Sequence, residues 1–182
     1  MICYAVKANN HNQILSLLSK SGCGADVVSK GELKKSIDNG VTPDKIVFSG
    51  VGKTKDEIKY ALNKKIKQLN VESEEELEEI VEIAKVEKKK VNICIRVNPD
   101  VDPRTHYKIS TGRSEDKFGI PNSKVITLFE KYKYNDYLKI VGLSIHIGSQ
   151  IKNIRPFELA FKKIKKQVII LRKLGFEITV LD

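Results

Sequence analysis

Short runs of apolar, mostly β-branched residues alternate along the chain with segments in which apolar residues recur every three or four positions. The short runs predict strands over residues 2–6, 25–28, 45–48, 68–71, 91–97, 141–147 and 178–181. The other segments predict helices, the first of them carrying the stripe Ile14, Leu15, Leu17 and Leu18. Strands that alternate with helices indicate βαβ units and a parallel sheet.

Two of the predicted helices carry boundary signals. Ser73 and Glu76 have the spacing of a capping box, which starts a helix. The predicted core face of that helix is Leu77, Ile80, Val81 and Ala84. A later core-facing stripe is formed by Phe157, Phe161, Ile164, Val168 and Leu171, and it ends before Gly175, the expected glycine cap.

Polar or reactive side chains stand where predicted strands end, at Lys7, Ser49, Glu72, Asn98, His146 and Asp182. In a (β/α)₈ barrel, the carboxyl ends of the strands surround one shared site. An open doubly wound sheet usually carries a glycine fingerprint for a dinucleotide after its first strand, and none stands there. We therefore expect an α/β fold of the TIM-barrel type, forming one domain over residues 1–182. A complete barrel takes about 250 residues, so the seven predicted strands indicate an incomplete barrel with about seven of eight strands.

Composition and charge narrow the function classes. No apolar run approaches the roughly 18 residues of a membrane helix, and no secretory signal is recognisable. The three cysteines are odd in number and far apart, which favours a reducing cytoplasm over a disulfide framework. The net charge is +10, but the lysines lie mostly in predicted helices and Trp is absent, which favours solvated helix surfaces over a nucleic-acid patch.

The sequence predicts no metal site. His11, His106 and His146 are too scattered for zinc ligands. The proline- and aspartate-rich loop over residues 98–103 lacks the glycine and terminal glutamate of a calcium loop.

Lys7 raises a more specific question, because it stands in the apolar and small run MICYAVKANN. The ordinary interpretation is a strand lysine whose ammonium reaches water. The alternative is an amine kept among apolar neighbours so that it can attack a carbonyl. The residues around Lys7 leave both open.

Several stretches resemble one enzyme family. YAVKANN resembles the lysine-bearing first strand of the fold-type III enzymes that use pyridoxal 5′-phosphate. Further stretches resemble the diaminopimelate decarboxylase branch and occur in that family's order: GCGADVVSKGEL, VFSGVGKTKDEI, NVESEEEL, RVNPDVDPRTHYKISTG, KFGI and GLSIHIGSQI. The Ser-Gln ending of HIGSQ is more similar to this branch than to the ornithine and arginine branches.

The resemblance implies a role for each matched position. Lys7 would form the Schiff base with the cofactor aldehyde, His146 would stack on the cofactor ring, and Ser149 would lie near the cofactor phosphate. From the residues alone, a core histidine and a plain turn serine are the alternatives. For Asp26 and Arg96, an ion pair that supports the site and a direct cofactor contact both stay open.

Glu32 also falls in a matched stretch, GCGADVVSKGEL, but we expect it to be an exposed residue in the first turn of a helix.

The resemblance further implies a reaction, the removal of one carboxylate from meso-diaminopimelate to give L-lysine and carbon dioxide, by a homodimer with shared active sites. The family's glycine-rich phosphate loop, its acidic residue on the pyridine nitrogen and its C-terminal β-domain match nothing in the chain. We therefore expect the chain alone to bind cofactor weakly and to be inactive. The alternatives are another fold-type III decarboxylase of basic amino acids or the polyamine pathway, a non-catalytic cofactor-carrier barrel, and an inert fragment.

Overall fold

The computed structural model describes residues 1–99 and 118–182. Residues 100–117, which include most of the RVNPDVDPRTHYKISTG stretch and His106, lie outside the described residues. The chain divides into two compact units, one formed by residues 1–93 and 136–139 and the other by residues 94–135 and 140–182.

The first unit is a run of β-strands joined by helices. In chain order its elements are β1 (Cys3–Ala5), a 3₁₀ turn (Val6–Ala8), α1 (Asn12–Lys20), β2 (Gly24–Val27), α2 (Lys30–Asp38), a 3₁₀ turn (Pro43–Lys45), β3 (Ile46–Phe48), α3 (Lys55–Lys64), β4 (Gln68–Val71), α4 (Glu74–Val86) and the start of β5 (Val91–Asn98). The strands are ordered β1-β2-β3-β4-β5. The first three pairings are parallel, and their register aligns Ala5 with Asp26, Asp26 with Val47, and Val47 with Gln68.

The two faces of this sheet differ in chemistry, because successive strand side chains point to opposite faces. One face is apolar and buried: Ala25, Val27, Ile46, Phe48, Leu69 and Val71 are each at most 1 % exposed. The other face carries the polar side chains of Asp26, Gln68 and Asn70 within the strands, followed by Ser49 and Glu72 just beyond them. Burying each large aliphatic side chain contributes about 1.5–3 kcal/mol, so the apolar face holds the unit together.

Three consecutive helices of the first unit start with the same pattern, Ser or Thr followed three positions later by Glu. The helix-capping hydroxyls of Ser29, Thr54 and Ser73 accept hydrogen bonds from the amides of Glu32, Glu57 and Glu76, respectively. The predicted start of α4 at Ser73 is therefore confirmed. The Glu76 carboxylate, however, accepts from the amide of Glu72, one residue before the cap.

The second unit contains the rest of β5, β6 (Ile120–Pro121), a 3₁₀ turn (Asn122–Lys124), α5 (Val125–Lys131), most of β7 (Leu138–Ser144), α6 (Arg155–Lys173) and β8 (Val180–Leu181). Its strand order is β5-β7-β8, and β6 pairs with β5. Gly142 pairs with Val180 in the parallel β7–β8 ladder. A Cβ at Gly142 would collide with the Val180 carbonyl oxygen, so this ladder requires glycine.

Helix α6 corrects part of the predicted core stripe. Ile164, Val168 and Leu171 are buried as expected, but Phe157 is 40 % exposed and Phe161 is 58 % exposed. The buried face also includes Pro156, Ala160 and Gln167. With 3.6 residues per turn, the two phenylalanines fall on the flank of that face, so the prediction was wrong for them.

All seven predicted strands are present, and the prediction of a parallel α/β fold is confirmed. Strand β7 starts and ends three residues earlier than predicted, at Leu138 and Ser144. Strand β6 was missed because it has only two residues, too few for a pattern. Within residues 1–99 and 118–182, no helix has the length and hydrophobicity needed to cross a membrane.

Candidate functional site

Lys7 lies in the 3₁₀ turn that directly follows β1, at the carboxyl end of the strand. Its side chain is exposed, whereas the preceding Val6 is buried. Within the described residues, the amine of Lys7 therefore lies in contact with water and not among apolar neighbours. Over those same residues, Lys7 makes no hydrogen bond or ion pair. The structure thus presents an accessible amine at this edge of the sheet.

A chain of polar side chains crosses the neighbouring strands of the first unit. The Ser49 hydroxyl donates to the Asp26 carboxylate over 2.7 Å. The Asn70 amide donates to the Ser49 oxygen over 3.1 Å, and the Gln68 amide donates to Asn70 Oδ1, also over 3.1 Å. Asp26 is half-buried, and Asn70 and Gln68 are buried. Because Ala5 pairs with Asp26, this chain begins on the strand next to the one that Lys7 follows.

A second cluster joins the loop after β3 to the start of α4. The Lys53 ammonium donates to the carbonyl oxygens of Gly50 and Asn70, each over 2.7 Å, and to the Glu76 carboxylate over 2.5 Å. The Gly50 amide donates to the Glu72 carboxylate over 2.9 Å. The Lys53 side chain is only 1 % exposed and that of Glu76 is 11 % exposed. This is a buried ion pair whose lysine has an acceptor for each of its three N–H bonds.

Burial also affects the protonation of Glu76. Desolvation raises the pKa of the Glu76 carboxyl, and the Lys53 ammonium together with the Glu72 amide opposes that rise without cancelling it. The ionised form of Glu76 therefore depends on Lys53, because Lys53 is the nearby positive charge that compensates for lost hydration.

In the second unit, Arg96 lies near the end of β5 and is half-buried. Its guanidinium carbon is 5.3 Å from the centre of the Phe118 ring, within the range of a cation–π contact. Asp26 belongs to the first unit, so the predicted ion pair between Asp26 and Arg96 stays a prediction.

His146 and Ser149 follow β7 in the same unit, and both are exposed. Exposure excludes the interpretation of His146 as a core histidine. Between them, Ile147 is buried against Ala160 of α6 and anchors the segment. Gly148 has φ +137°, a conformation that favours glycine, so this turn cannot be an ordinary strand continuation.

Glu32 lies in the first turn of α2, as expected, but it is half-buried rather than exposed. Its carboxylate accepts a hydrogen bond from the Val28 amide over 2.9 Å, which ties the end of β2 to the helix. The contact gives Glu32 a capping role.

The buried pair of Lys53 and Glu76 was missed from the sequence. The available signal was a lysine in a glycine-containing turn after a strand, GVGKT, together with a glutamate at the third position of α4, the second helix after that turn. Lysines are rarely buried, so composition gives no reason to single out this one among many. Among the described residues, no group of three or more His, Cys, Asp or Glu side chains could hold a metal ion.

The whole chain matches the family described as pyridoxal-dependent decarboxylase, pyridoxal binding domain, over residues 1–182. A diaminopimelate decarboxylase of Zymomonas mobilis is 45 % identical over 182 residues, which are 100 % of this chain and 43 % of that protein. The chain therefore spans less than half the length of this curated relative.

Solved structures of diaminopimelate decarboxylases also match the chain along its whole length. A diaminopimelate decarboxylase from Helicobacter pylori complexed with L-lysine has a TM-score of 0.98 and 43 % identity, covering 100 % of this chain and 46 % of that one. The enzyme from M. jannaschii in co-complex with L-lysine has a TM-score of 0.91 and 40 % identity, covering 100 % and 42 %. These matches confirm the predicted class of incomplete α/β barrel. The chain belongs to the family of pyridoxal-binding domains of pyridoxal-dependent decarboxylases.

Proposed function

We propose that this chain supplies the cofactor-holding lysine of a pyridoxal phosphate-dependent decarboxylase that converts meso-diaminopimelate to L-lysine and carbon dioxide. The observation that carries the proposal is the position of Lys7 at the carboxyl end of β1. That edge is where barrels of parallel strands bind their ligands. The exposed amine has no hydrogen-bond or ion-pair partner within the described residues, so it is available to an aldehyde.

The residues of the first unit fit such a group. The reactive amine of Lys7 follows the strand next to β2, and the half-buried Asp26 carboxylate of β2 accepts a hydrogen bond from Ser49. When bound, pyridoxal phosphate supplies an electron-accepting ring that takes up the electrons of the breaking carbon–carbon bond. The amine of Lys7, when it is not bonded to the cofactor, would accept and return a proton, since a positioned lysine can act as a general base.

For the second unit we propose roles that follow from the family resemblance. His146 would hold the cofactor ring by stacking, and Ser149 would hold its phosphate. Exposure of both side chains after β7 supports these roles, because each can reach a ligand. Arg96 and Asp26 act either through an ion pair that supports the site or by direct contact with the cofactor.

The substrate is proposed from the relatives. The proteins of Zymomonas mobilis and Helicobacter pylori are diaminopimelate decarboxylases that match this chain along its whole length. The Helicobacter pylori structure also holds L-lysine, which is the product of the proposed reaction. We further propose that the protein is a dimer located in the cytoplasm. All three cysteines are free thiols, which supports a reducing compartment. Analytical ultracentrifugation tests whether the protein is a dimer.

Chemical labelling tests the role of Lys7. The protein is mixed with pyridoxal phosphate, reduced with borohydride and digested, and the labelled peptides are mapped. We expect the label on Lys7, and its loss in Lys7→Arg but not in Lys20→Arg, which changes an exposed lysine at the end of α1. A label spread evenly over the exposed lysines would overturn the assignment.

Carbon dioxide release then tests the substrate. The protein is assayed with meso-diaminopimelate, L-arginine and L-ornithine in parallel. Preference for meso-diaminopimelate supports the proposal. Preference for arginine or ornithine assigns the chain to another decarboxylase of the same fold, and release from none of them, with Lys7 labelled, indicates a cofactor carrier or a chain that is inactive alone, as expected from the sequence.

A further inference from the structure

Lys53 is the most deeply buried cation of the first unit for which contacts are described, and the proposed reaction does not use it directly. Its ammonium group meets two carbonyl oxygens and one carboxylate, at 2.5–2.7 Å. The centre of the Phe48 ring is 5.9 Å from the same ammonium nitrogen. Such complete coordination fixes the position of the ammonium group in all directions.

A buried ion pair is a weak source of stability, because desolvating both charges offsets most of their attraction. Apolar residues could fill the same space. The arrangement is therefore better explained by the geometry that it enforces than by the free energy of unfolding that it adds.

Lys53 holds in place the turn that follows β3. Gly50 lies in this turn with φ +105°, a backbone conformation that L side chains rarely adopt. Both sides of Gly50 are bonded: its carbonyl accepts from Lys53 and its amide donates to Glu72. Ser49 immediately precedes this fixed glycine, and the Ser49 hydroxyl is the group that donates to Asp26.

We propose that Lys53 is a positioning residue for the candidate cofactor site. By holding Gly50, Asn70 and Glu76 together, it sets the direction of the Ser49 hydroxyl and, through it, of the Asp26 carboxylate beside the strand that Lys7 follows. The inference rests on the proposed function, because it assigns Lys53 to the same edge of the sheet. Lys53 acts through Ser49 and does not touch the cofactor.

Two variants separate positioning from folding. Lys53→Met leaves the buried Glu76 carboxylate without its cation and will destabilise the protein. The double variant Lys53→Met/Glu76→Leu removes both charges, which restores stability. The matched control is Lys59→Met, which breaks the more exposed Lys59–Glu87 pair between α3 and the residue that follows α4, where the nitrogen and oxygen are 2.8 Å apart.

The readouts are the melting temperature, the dissociation constant of pyridoxal phosphate, the rate of borohydride labelling at Lys7, and amide exchange over residues 47–52. In the double variant we expect a recovered melting temperature, a dissociation constant on the order of 10- to 100-fold higher, slower labelling and faster exchange at Gly50. Lys59→Met should change none of these by more than about twofold, as exposed ion pairs contribute little.

The outcomes distinguish the two proposals. If the unmodified protein is not labelled at Lys7, the proposed function is overturned and the inference falls with it. If the unmodified protein is labelled and the stable double variant binds and labels equally well, Lys53 has only a structural role and the inference alone is wrong. Faster exchange at Gly50 together with weaker binding supports positioning.

Discussion

The hydroxyl of Ser49 donates a 2.7 Å hydrogen bond to the carboxylate of Asp26, across neighbouring parallel strands. Removing the hydroxyl leaves a half-buried carboxylate without this donor, and losing such a bond costs about 1.5–3 kcal/mol. We expect Ser49→Ala to lower the free energy of unfolding by that amount in urea denaturation. Ser21→Ala, at an exposed hydroxyl after α1, should cost less.

The same pair predicts non-additivity. Because the two side chains are in contact, Asp26→Ala and Ser49→Ala together should cost less than the sum of the single changes, with a coupling of about 0.5–3 kcal/mol. Simple addition of the two effects would show that the bond does not form in solution.

Lys7 is expected to be essential for the proposed chemistry. In a protein that contains this chain and releases carbon dioxide, Lys7→Ala should lower the turnover number for decarboxylation by at least about 10²-fold, since a positioned proton-transferring group contributes about 10²–10⁴-fold. Circular dichroism should stay unchanged, because the side chain is exposed. Turnover within twofold of the original protein would contradict the role, and Lys20→Ala provides the control.

Glu57 predicts a pH dependence of stability. Desolvation raises the pKa of the Glu57 carboxyl. Hydrogen bonds from the Thr54 amide, the Lys30 amide and the Thr54 hydroxyl lower that pKa by a larger amount, so the net pKa is below the ordinary value. A lowered pKa stabilises the folded state above the unfolded pKa of about 4.3. That contribution is lost as the pH falls through the folded-state pKa.

Glu57→Gln should therefore cost about 0.3–1 kcal/mol at pH 7, because it removes a negative charge from the first turn of α3 while the Thr54 cap remains. The difference between the two proteins should shrink as the pH falls below about 4. Urea denaturation at pH 7, 5 and 3.5 measures it. A difference that is independent of pH would show that the carboxylate charge is not responsible.

The difference in exposure between two residues of α6 predicts that their substitutions affect stability differently. Ile164 is 3 % exposed and Phe161 is 58 % exposed, although they are three residues apart. Ile164→Ala should lower the free energy of unfolding by about 2–5 kcal/mol. Phe161→Ala should change it by about 0.5 kcal/mol or less, as at other surface positions. Equal losses of unfolding free energy would show that Phe161 belongs to the core-facing stripe, as the sequence predicts.

Two glycines with different surroundings form a matched pair. Gly142→Ala should disrupt the β7–β8 ladder, since its Cβ would overlap the Val180 carbonyl. Gly31→Ala, in the first turn of α2 with its nearest neighbouring atom 3.8 Å from the added Cβ, should raise stability by up to about 1 kcal/mol. Thermal unfolding of both variants checks the contrast.

The sequence was a good guide wherever one local pattern decides one local structure. The strand runs, the Ser73 cap and the Gly175 end of α6 needed only neighbouring residues, and each was found. The exposure of Phe157 and Phe161 was not predictable, because a helical stripe does not say how wide the covered face is. Lys53 was missed for a related reason, since its three acceptors come from three different segments.

The repeated Ser/Thr-x-x-Glu starts of α2, α3 and α4 have a consequence for how the first unit is built. Each strand pairs with the one made just before it, and each helix carries its own start signal in the four residues that open it. Each pairing in this order joins strands that are neighbours in the sequence, so every step of assembly closes only the loop that contains one helix. The first four strands can thus assemble one after another as the polypeptide leaves the ribosome.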